Sequence, residues 1–198
     1  MRRFAIQAIC EEHSAVAAVL RSLLLMIERG PDHAPERFFD VLRAMLFYID
    51  EFPEKLHHPK ESDLLFPKLA RADAGLMPVI RRLESDHMQG EGKVRELQHM
   101  LLAWELLGEP RRAAFCEAAQ AYVGFYLEHM RLEETQILPV AQGQHPQRAG
   151  EARDEAFRRD RDPLASGERP AGYDRLFTRI VMAAPAPIGL GEPLAATA

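Results

Sequence analysis

The chain reads as an all-α protein: an antiparallel up-down-up-down four-helix bundle followed by a C-terminal helical extension. Three observations carry that reading. Four long stretches repeat apolar residues every third or fourth position, the period of a helix face packed on a core. Glycine and proline breakers separate those stretches. No stretch alternates apolar and polar residues with the period of a strand. Long helices joined by short turns lie side by side and reverse direction at each turn.

The first helix is expected from about Phe4 to Glu28, with Ile6, Ile9, His13, Val16, Leu20, Leu24 and Ile27 on one stripe. Gly30-Pro31 ends it. The second starts near Pro35, a residue suited to a first helical turn. It carries Phe38, Leu42, Met45, Ile49 and Phe52 and continues to about Leu69. Pro53 and Pro59 each remove a backbone donor, so a kink or a widened turn is expected there. The third runs from about Leu76 to Leu107 on Ile80, Leu83, His87, Glu91, Val94, Leu97 and Leu101. Gly90 and Gly92 interrupt it, each costing about 1 kcal/mol relative to alanine. Gly108-Glu109-Pro110 ends it, and the fourth runs from about Arg111 to Ile137 on Phe115, Ala119, Tyr122, Tyr126, His129 and Glu133.

The bundle is assigned to residues 1–140 and the extension to 141–198. Residues 140–150, rich in Gly, Gln and His, read as a linker. A charged helix is expected over about 147–159, and a second short one over 173–183, docking through Leu176, Phe177, Ile180 and Val181. The last residues, with three prolines and two glycines, read as extended.

Hydrophobic residues make up 47% and charged ones 28%, which suits a globular domain rather than a disordered chain. A net charge of -5 disfavours nucleic acid as a partner. No apolar run is long enough to span a bilayer. Glu11, Glu12 and His13 break any export-signal core, so a cytoplasmic location is expected. The two cysteines, Cys10 and Cys116, lie far apart and form no thiolate zinc pair. Both are expected as buried thiols, with a redox role for Cys10, three residues before His13, as the lesser reading.

The chemistry sits in a phrase written twice. His57-His58-Pro59-Lys60-Glu61 is followed by Leu64-Leu65-Phe66-Pro67, and His129-Met130-Arg131-Leu132-Glu133 by Ile137-Leu138-Pro139. A lone histidine precedes each copy: His13 stands 44 residues before His57, and His87 stands 42 before His129. Residues i and i+4 share a helix face, so each phrase aims an imidazole and a carboxylate at one point. Burying such groups unpaired costs several kcal/mol or more. Metal ions remove that cost. A nitrogen and oxygen donor set without sulfur suits iron or manganese, with zinc behind them. The candidate ligands are His13, His57, Glu61, His87, Glu91, His129 and Glu133.

Around them, His58 lies about 100° from His57 and is expected beside the ligands or at the surface. Tyr122 and Tyr126 share the face of His129; packing is their default role, and a phenol there could also bond an oxygen species on the metal. Tyr48 is a weaker candidate of the same kind. Trp104 reads as a packing residue, and His33, His99 and His145 as surface residues.

On these residues the chain resembles the hemerythrin-like family, the HHE cation-binding domain, over about residues 1–140. The resemblance implies a four-helix bundle holding two non-haem irons, oxo- or hydroxo-bridged. Carried over, His13 and His57 bind one iron, His87 and His129 the other, and Glu61 and Glu133 bridge. Oxygen carriers of the family have a histidine one turn after the third-helix histidine, where this chain has Glu91. Their last carboxylate stands five residues after the final histidine, at Glu134 here. Glu133 mirrors Glu61 and is preferred, with Glu134 the alternative if the helix bulges.

A carboxylate at position 91 would favour the ferric state and disfavour reversible oxygen carriage. The expected partners are therefore oxygen, peroxide or nitric oxide. Oxidoreductase or peroxide-decomposing turnover leads, and the alternatives are an oxygen, nitric oxide or iron sensor or store, or an iron delivery or repair protein.

Overall fold

The computed structural model describes residues 4–31, 34–143, 176, 178–182, 184 and 189. Among these residues all regular structure is helical. α1 (Phe4–Arg29) ends at Gly30, whose φ of 77° is a conformation side chains resist. α2 (Pro35–Ile49) runs without a break into a π-helical segment (Asp50–His57), a short α3 (His58–Lys60), a second π-helical segment (Glu61–Leu65) and α4 (Phe66–Ala72). Residues 35–72 thus form a single rod. The Asp73 carboxylate turns the chain by accepting the Gly75 N–H at 2.8 Å. α5 (Met77–Leu107) ends at Gly108, φ 81°. α6 (Arg112–Leu132) passes through a third π-helical segment (Glu133–Ile137) into α7 (Leu138–Gly143).

The widened turns follow from the prolines. A proline ring collides with the carbonyl four residues back and offers no N–H. Pro53 lies inside the first wide segment, where the His58 N–H reaches back to the Pro53 carbonyl. The other two begin at the repeated glutamates, Glu61 and Glu133, and close just before Phe66-Pro67 and Leu138-Pro139. The Phe66 and Leu138 N–H groups bond the Glu61 and Glu133 carbonyls, five residues back. The proline shared by both copies of the phrase therefore marks a π-turn that starts at an inward carboxylate.

α1 packs on α2 and α6, and α5 packs on α2 and α6. The shared core is in two parts. A larger cluster holds Val16 to Ile27 of α1, Phe38 to Ile49 of α2, Val94 to Trp104 of α5 and Phe115 to Met130 of α6. A smaller one joins Ile6 and Ile9 to Leu65, Phe66, Ile80, Leu83, Ile137 and Leu138. Successive rods cross the two clusters in alternate order. Between them lies a layer of buried polar side chains: Glu12, His13, Glu54, His57, His58, Glu61, Asp86, His129 and Glu133.

Several expectations need correction. Gly90 and Gly92 do not interrupt α5, which is continuous through both. The stretch assigned as linker from residue 140 is still helical to Gly143. Cys10 is exposed and Cys116 only partly covered, so neither is a buried core thiol. His99 is at the surface as expected, while His33, His145, the helix over 147–159 and the final residues lie outside the described ones. Leu176 and Ile180 of the expected docking face are buried in the larger cluster beside α2, with Thr178–Met182 helical; Phe177 lies outside the described residues. No described helix is long and apolar enough to cross a membrane.

Trp104 anchors the end of the larger cluster, edge-on to Phe38 and Phe39 with centroids at 5.4 and 5.2 Å. Trp104→Ala should lower unfolding free energy in urea by about 3–5 kcal/mol while leaving metal stoichiometry unchanged; a loss below about 1 kcal/mol would contradict this packing.

Candidate metal centre

The polar layer brings His13, His57, His87, His129, Glu61 and Glu133 together. Their ligand-capable atoms form two sets: His13, His57, Glu61 and Glu133, and His87, His129, Glu61 and Glu133. Within each set these atoms lie within 4.8 Å of one another. The two glutamates belong to both, the arrangement a bridging carboxylate requires. Their carboxylates have no accessible surface to speak of, at 0% relative exposure each.

Three of the four imidazoles are held from outside by a hydrogen bond at Nδ1, which turns Nε2 inward. His57 Nδ1 donates to the Glu12 carboxylate at 2.6 Å, and His13 Nδ1 to Glu134 at 3.0 Å. His87 Nδ1 is bonded to the Ser62 hydroxyl at 3.0 Å, and His129 Nδ1 faces Asp86 at 3.7 Å. Arg82 grips Asp86 through Nε at 2.9 and 3.1 Å. Inside, His13 Nε2 is 3.2 Å from Glu133 and His57 Nε2 is 3.2 Å from Glu61. The Nε2 atoms of His87 and His129 face each other at 3.2 Å.

These outer contacts obey the internal repeat. The acid just before each lone histidine, Glu12 or Asp86, meets the phrase histidine of its own half. The residue just after each phrase glutamate, Ser62 or Glu134, meets the lone histidine of the other half. Such partners fix the tautomer and aim of a ligating imidazole. Sequence reasoning missed Glu12, Asp86, Ser62 and Glu54. The matching Glu12-His13 and Asp86-His87 pairs were a legible signal for the first two.

Among the described residues, the His13 Nε2 atom and all four carboxylate oxygens of Glu61 and Glu133 are buried without a hydrogen bond. Buried polar atoms are ordinarily satisfied. Convergent imidazole nitrogens and carboxylate oxygens left in this state fit a cation between them.

One expected ligand, Glu91, is placed differently, while Glu134 and His58 fall beside the ligand set, one of the places expected for each. Glu91 is half exposed and pairs with Arg95, outside the cluster. Its position one turn beyond His87 projects past the layer to the surface. The redox argument built on Glu91 as a ligand therefore falls. Glu134 is also half exposed and caps His13 rather than entering the centre. The helix does bulge there, but the wide turn begins at Glu133, whose carboxylate stays inside. Of the two places expected for His58, it takes the one beside the ligand set: it is buried, its ring stacks on His87 at 4.1 Å and it is bonded to Glu54 and Tyr126. Tyr126 thus sits beside the ligands as expected, and Tyr122 reaches them one step removed, through Glu54. Tyr48 is buried against Phe52 in the apolar cluster.

The protons of the cluster follow from burial and mutual charge. Burial opposes it, yet the Glu133 and Glu134 carboxylates hold His13 up to about 9. Against the same opposition, Glu61 and Glu12 raise His57 well above the usual imidazole range. Burial lowers His87 to about 3 and His129 to about 4, with neighbouring imidazoles adding to it. Burial and the Glu61 charge push Glu133 up to about 8, while the nearby imidazoles, His57 first, overcome burial and hold Glu61 low. The direction for the coupled His13–Glu133 pair is retention of a proton, because Glu61 already supplies a negative charge beside it.

The metal-free centre therefore keeps protons at neutral pH that a cation would displace. For His13 and Glu133, whose folded values lie above the unfolded ones, stability is present at low pH and is lost as pH rises through about 8 to 9. Metal-free protein should accordingly lose thermal stability between pH 7 and 9, and ferrous iron or cobalt binding should release protons and tighten as pH rises. Calorimetry in buffers of different ionisation enthalpy checks this; binding without proton release would contradict it.

A family model described as the hemerythrin HHE cation-binding domain matches residues 5–141. No curated protein matches the chain. With the match covering well over half its length and the His/Glu centre in place, the chain belongs to the hemerythrin HHE cation-binding domain family.

Proposed function

We propose that the chain is a non-haem di-iron protein, built as an antiparallel up-down-up-down four-helix bundle, that binds or reacts with oxygen, peroxide or nitric oxide. His13 and His57 would hold one iron, His87 and His129 the other, and Glu61 and Glu133 would bridge. Manganese or zinc ranks behind iron. The alternation of rods across the two apolar clusters supports the bundle topology. The observation that carries the metal reading is the pair of fully buried glutamates, shared by two His/Glu sets and without hydrogen bonds among the described residues.

Bound, a pair of irons would supply one- and two-electron chemistry toward a small oxygen or nitrogen species. The protein's own contribution is placement and exclusion. Glu12, Ser62, Asp86 and Glu134 orient the imidazoles from outside, and the two apolar clusters close the layer above and below. Beside His13 and His57 lies a cavity of about 10 Å³, lined by Glu12, Val16, Phe52, Pro53, Leu56 and Lys60. That is room for one water-sized molecule.

With Glu91 outside the centre, its charge no longer argues for turnover over carriage. A sensing role draws support from one contact: Leu176 and Ile180 dock beside α2, on the rod that carries His57 and Glu61. Redox or ligand changes at those residues would reach the C-terminal segment through a continuous helix.

The test is iron analysis of the full chain, followed by rapid mixing of the anaerobically reduced form with oxygen, hydrogen peroxide and nitric oxide. Two irons per chain and an optical change with at least one of these are expected. Steady consumption of peroxide would identify turnover, and a lasting adduct would identify sensing or storage. Fewer than two irons per chain, with no response to any of the three, would overturn the reading.

A further inference from the structure

Where the internal repeat is obeyed, the two halves of the centre match; His58 is where they part. The phrase histidines His57 and His129 are followed by His58 and Met130. Four residues before His58 stands Glu54, and the equivalent position before Met130 is Tyr126. All of this asymmetry collects beside His87 and His129. The His58 ring stacks on His87 within 9° of parallel at 4.1 Å and lies 5.1 Å from His129, so it must turn out of that stack for His58 and His87 to meet one ion. Ligand-capable nitrogens of His58, His87 and His129 lie within 4.8 Å of one another.

We propose that His58 is a further metal ligand, on the ion held by His87 and His129, and that Glu54 is the positioning residue that aims it. The inference rests on the di-iron reading above. It makes the two ions inequivalent, three imidazoles on one and two on the other. The third helix supplies only His87, since Glu91 faces solvent with Arg95. The extra imidazole comes instead from the second rod.

The surroundings of His58 fix its tautomer. Its Nδ1 is bonded to Glu54 Oε2 at 3.1 Å. The Tyr122 hydroxyl donates to the other oxygen of Glu54 at 3.0 Å. Gly90 backs the same carboxylate: a Cβ there would stand 2.6 and 2.7 Å from its two oxygens. Any side chain at position 90 would push the Glu54 carboxylate from this place, which gives a glycine in the middle of α5 a use that offsets its helix-propensity cost of about 1 kcal/mol.

With the Nδ1 proton donated to the Glu54 carboxylate, Nε2 keeps its lone pair. The Tyr126 hydroxyl donates to it at 2.7 Å. This is the tautomer a metal takes, and the carboxylate–imidazole pair is the usual support of a ligating histidine. An ion on Nε2 replaces the Tyr126 hydroxyl, which leaves that phenol as a free donor beside the second ion alone.

The experiment compares wild type with His58→Met, which installs the residue of the other half, with Glu54→Gln and with Tyr126→Phe. Each is loaded with ⁵⁷Fe and read by Mössbauer spectroscopy of the diferrous form and by stepwise ferrous titration against a chelator. Wild type should give two distinct doublets of equal area. His58→Met should move one doublet and weaken only one of the two binding steps. Glu54→Gln should weaken that same step by about 10–100-fold. Tyr126→Phe, which removes no ligand, should keep both steps.

Two irons in every variant with unchanged doublets and affinities would overturn the His58 assignment and leave the di-iron reading standing. Fewer than two irons in wild type would overturn both. If His58→Met fails to fold by circular dichroism, Glu54→Gln and Gly90→Ala decide, because each disturbs the aim of His58 while keeping every proposed ligand. Equal weakening of both steps would contradict the assignment.

Discussion

The structure turns on one electrostatic constraint. A single layer of imidazoles and carboxylates is enclosed between two apolar clusters, away from water. Burial of such groups without compensation costs far more than a domain's net stability can absorb. Part of the compensation is visible: His13, His57 and His87 each have a hydrogen-bond partner on Nδ1, and His129 Nδ1 faces the Asp86 carboxylate at 3.7 Å. The remainder is missing on the inside, where both glutamates converge with Nε2 atoms. Protons fill that role in the metal-free chain, and the converging donors fit a cation there.

The same constraint shapes the backbone. Glu61 and Glu133 each stand one turn after a phrase histidine, which brings their carboxylates into the same layer. Each then opens a wide π-turn that closes just before the shared proline. Gly90 is a comparable concession, a glycine whose missing Cβ accommodates the Glu54 carboxylate. Helix geometry here serves the aim of particular side chains more than the packing of the rods.

Much of this was legible in the sequence, and the failures have physical causes. The rods were readable because apolar stripes have the helix period and end at Gly30-Pro31 and Gly108. The histidines His13, His57, His87 and His129 fell on those stripes, and polar residues at core positions demand partners. Glu91 also fell on its stripe but faces solvent, because a stripe is about 100° wide and cannot say which edge of it points inward. His58 stayed open between the ligand set and the surface for a related reason. Adjacent residues on an ideal helix diverge by about 100°, but the wide turn over Asp50–His57 rotates the following residues. His57 and His58 both reach the layer as a result, on different sides. The outer partners Glu12 and Asp86 were hidden by neglecting the residue that precedes each lone histidine.

The most direct test of the central claim is an anomalous difference map at the iron edge from crystals of the iron-loaded chain. Two strong peaks lying between Glu61 and Glu133 and facing the inward Nε2 atoms are predicted. No peak in that layer, or iron found only among exposed carboxylates, would contradict the account.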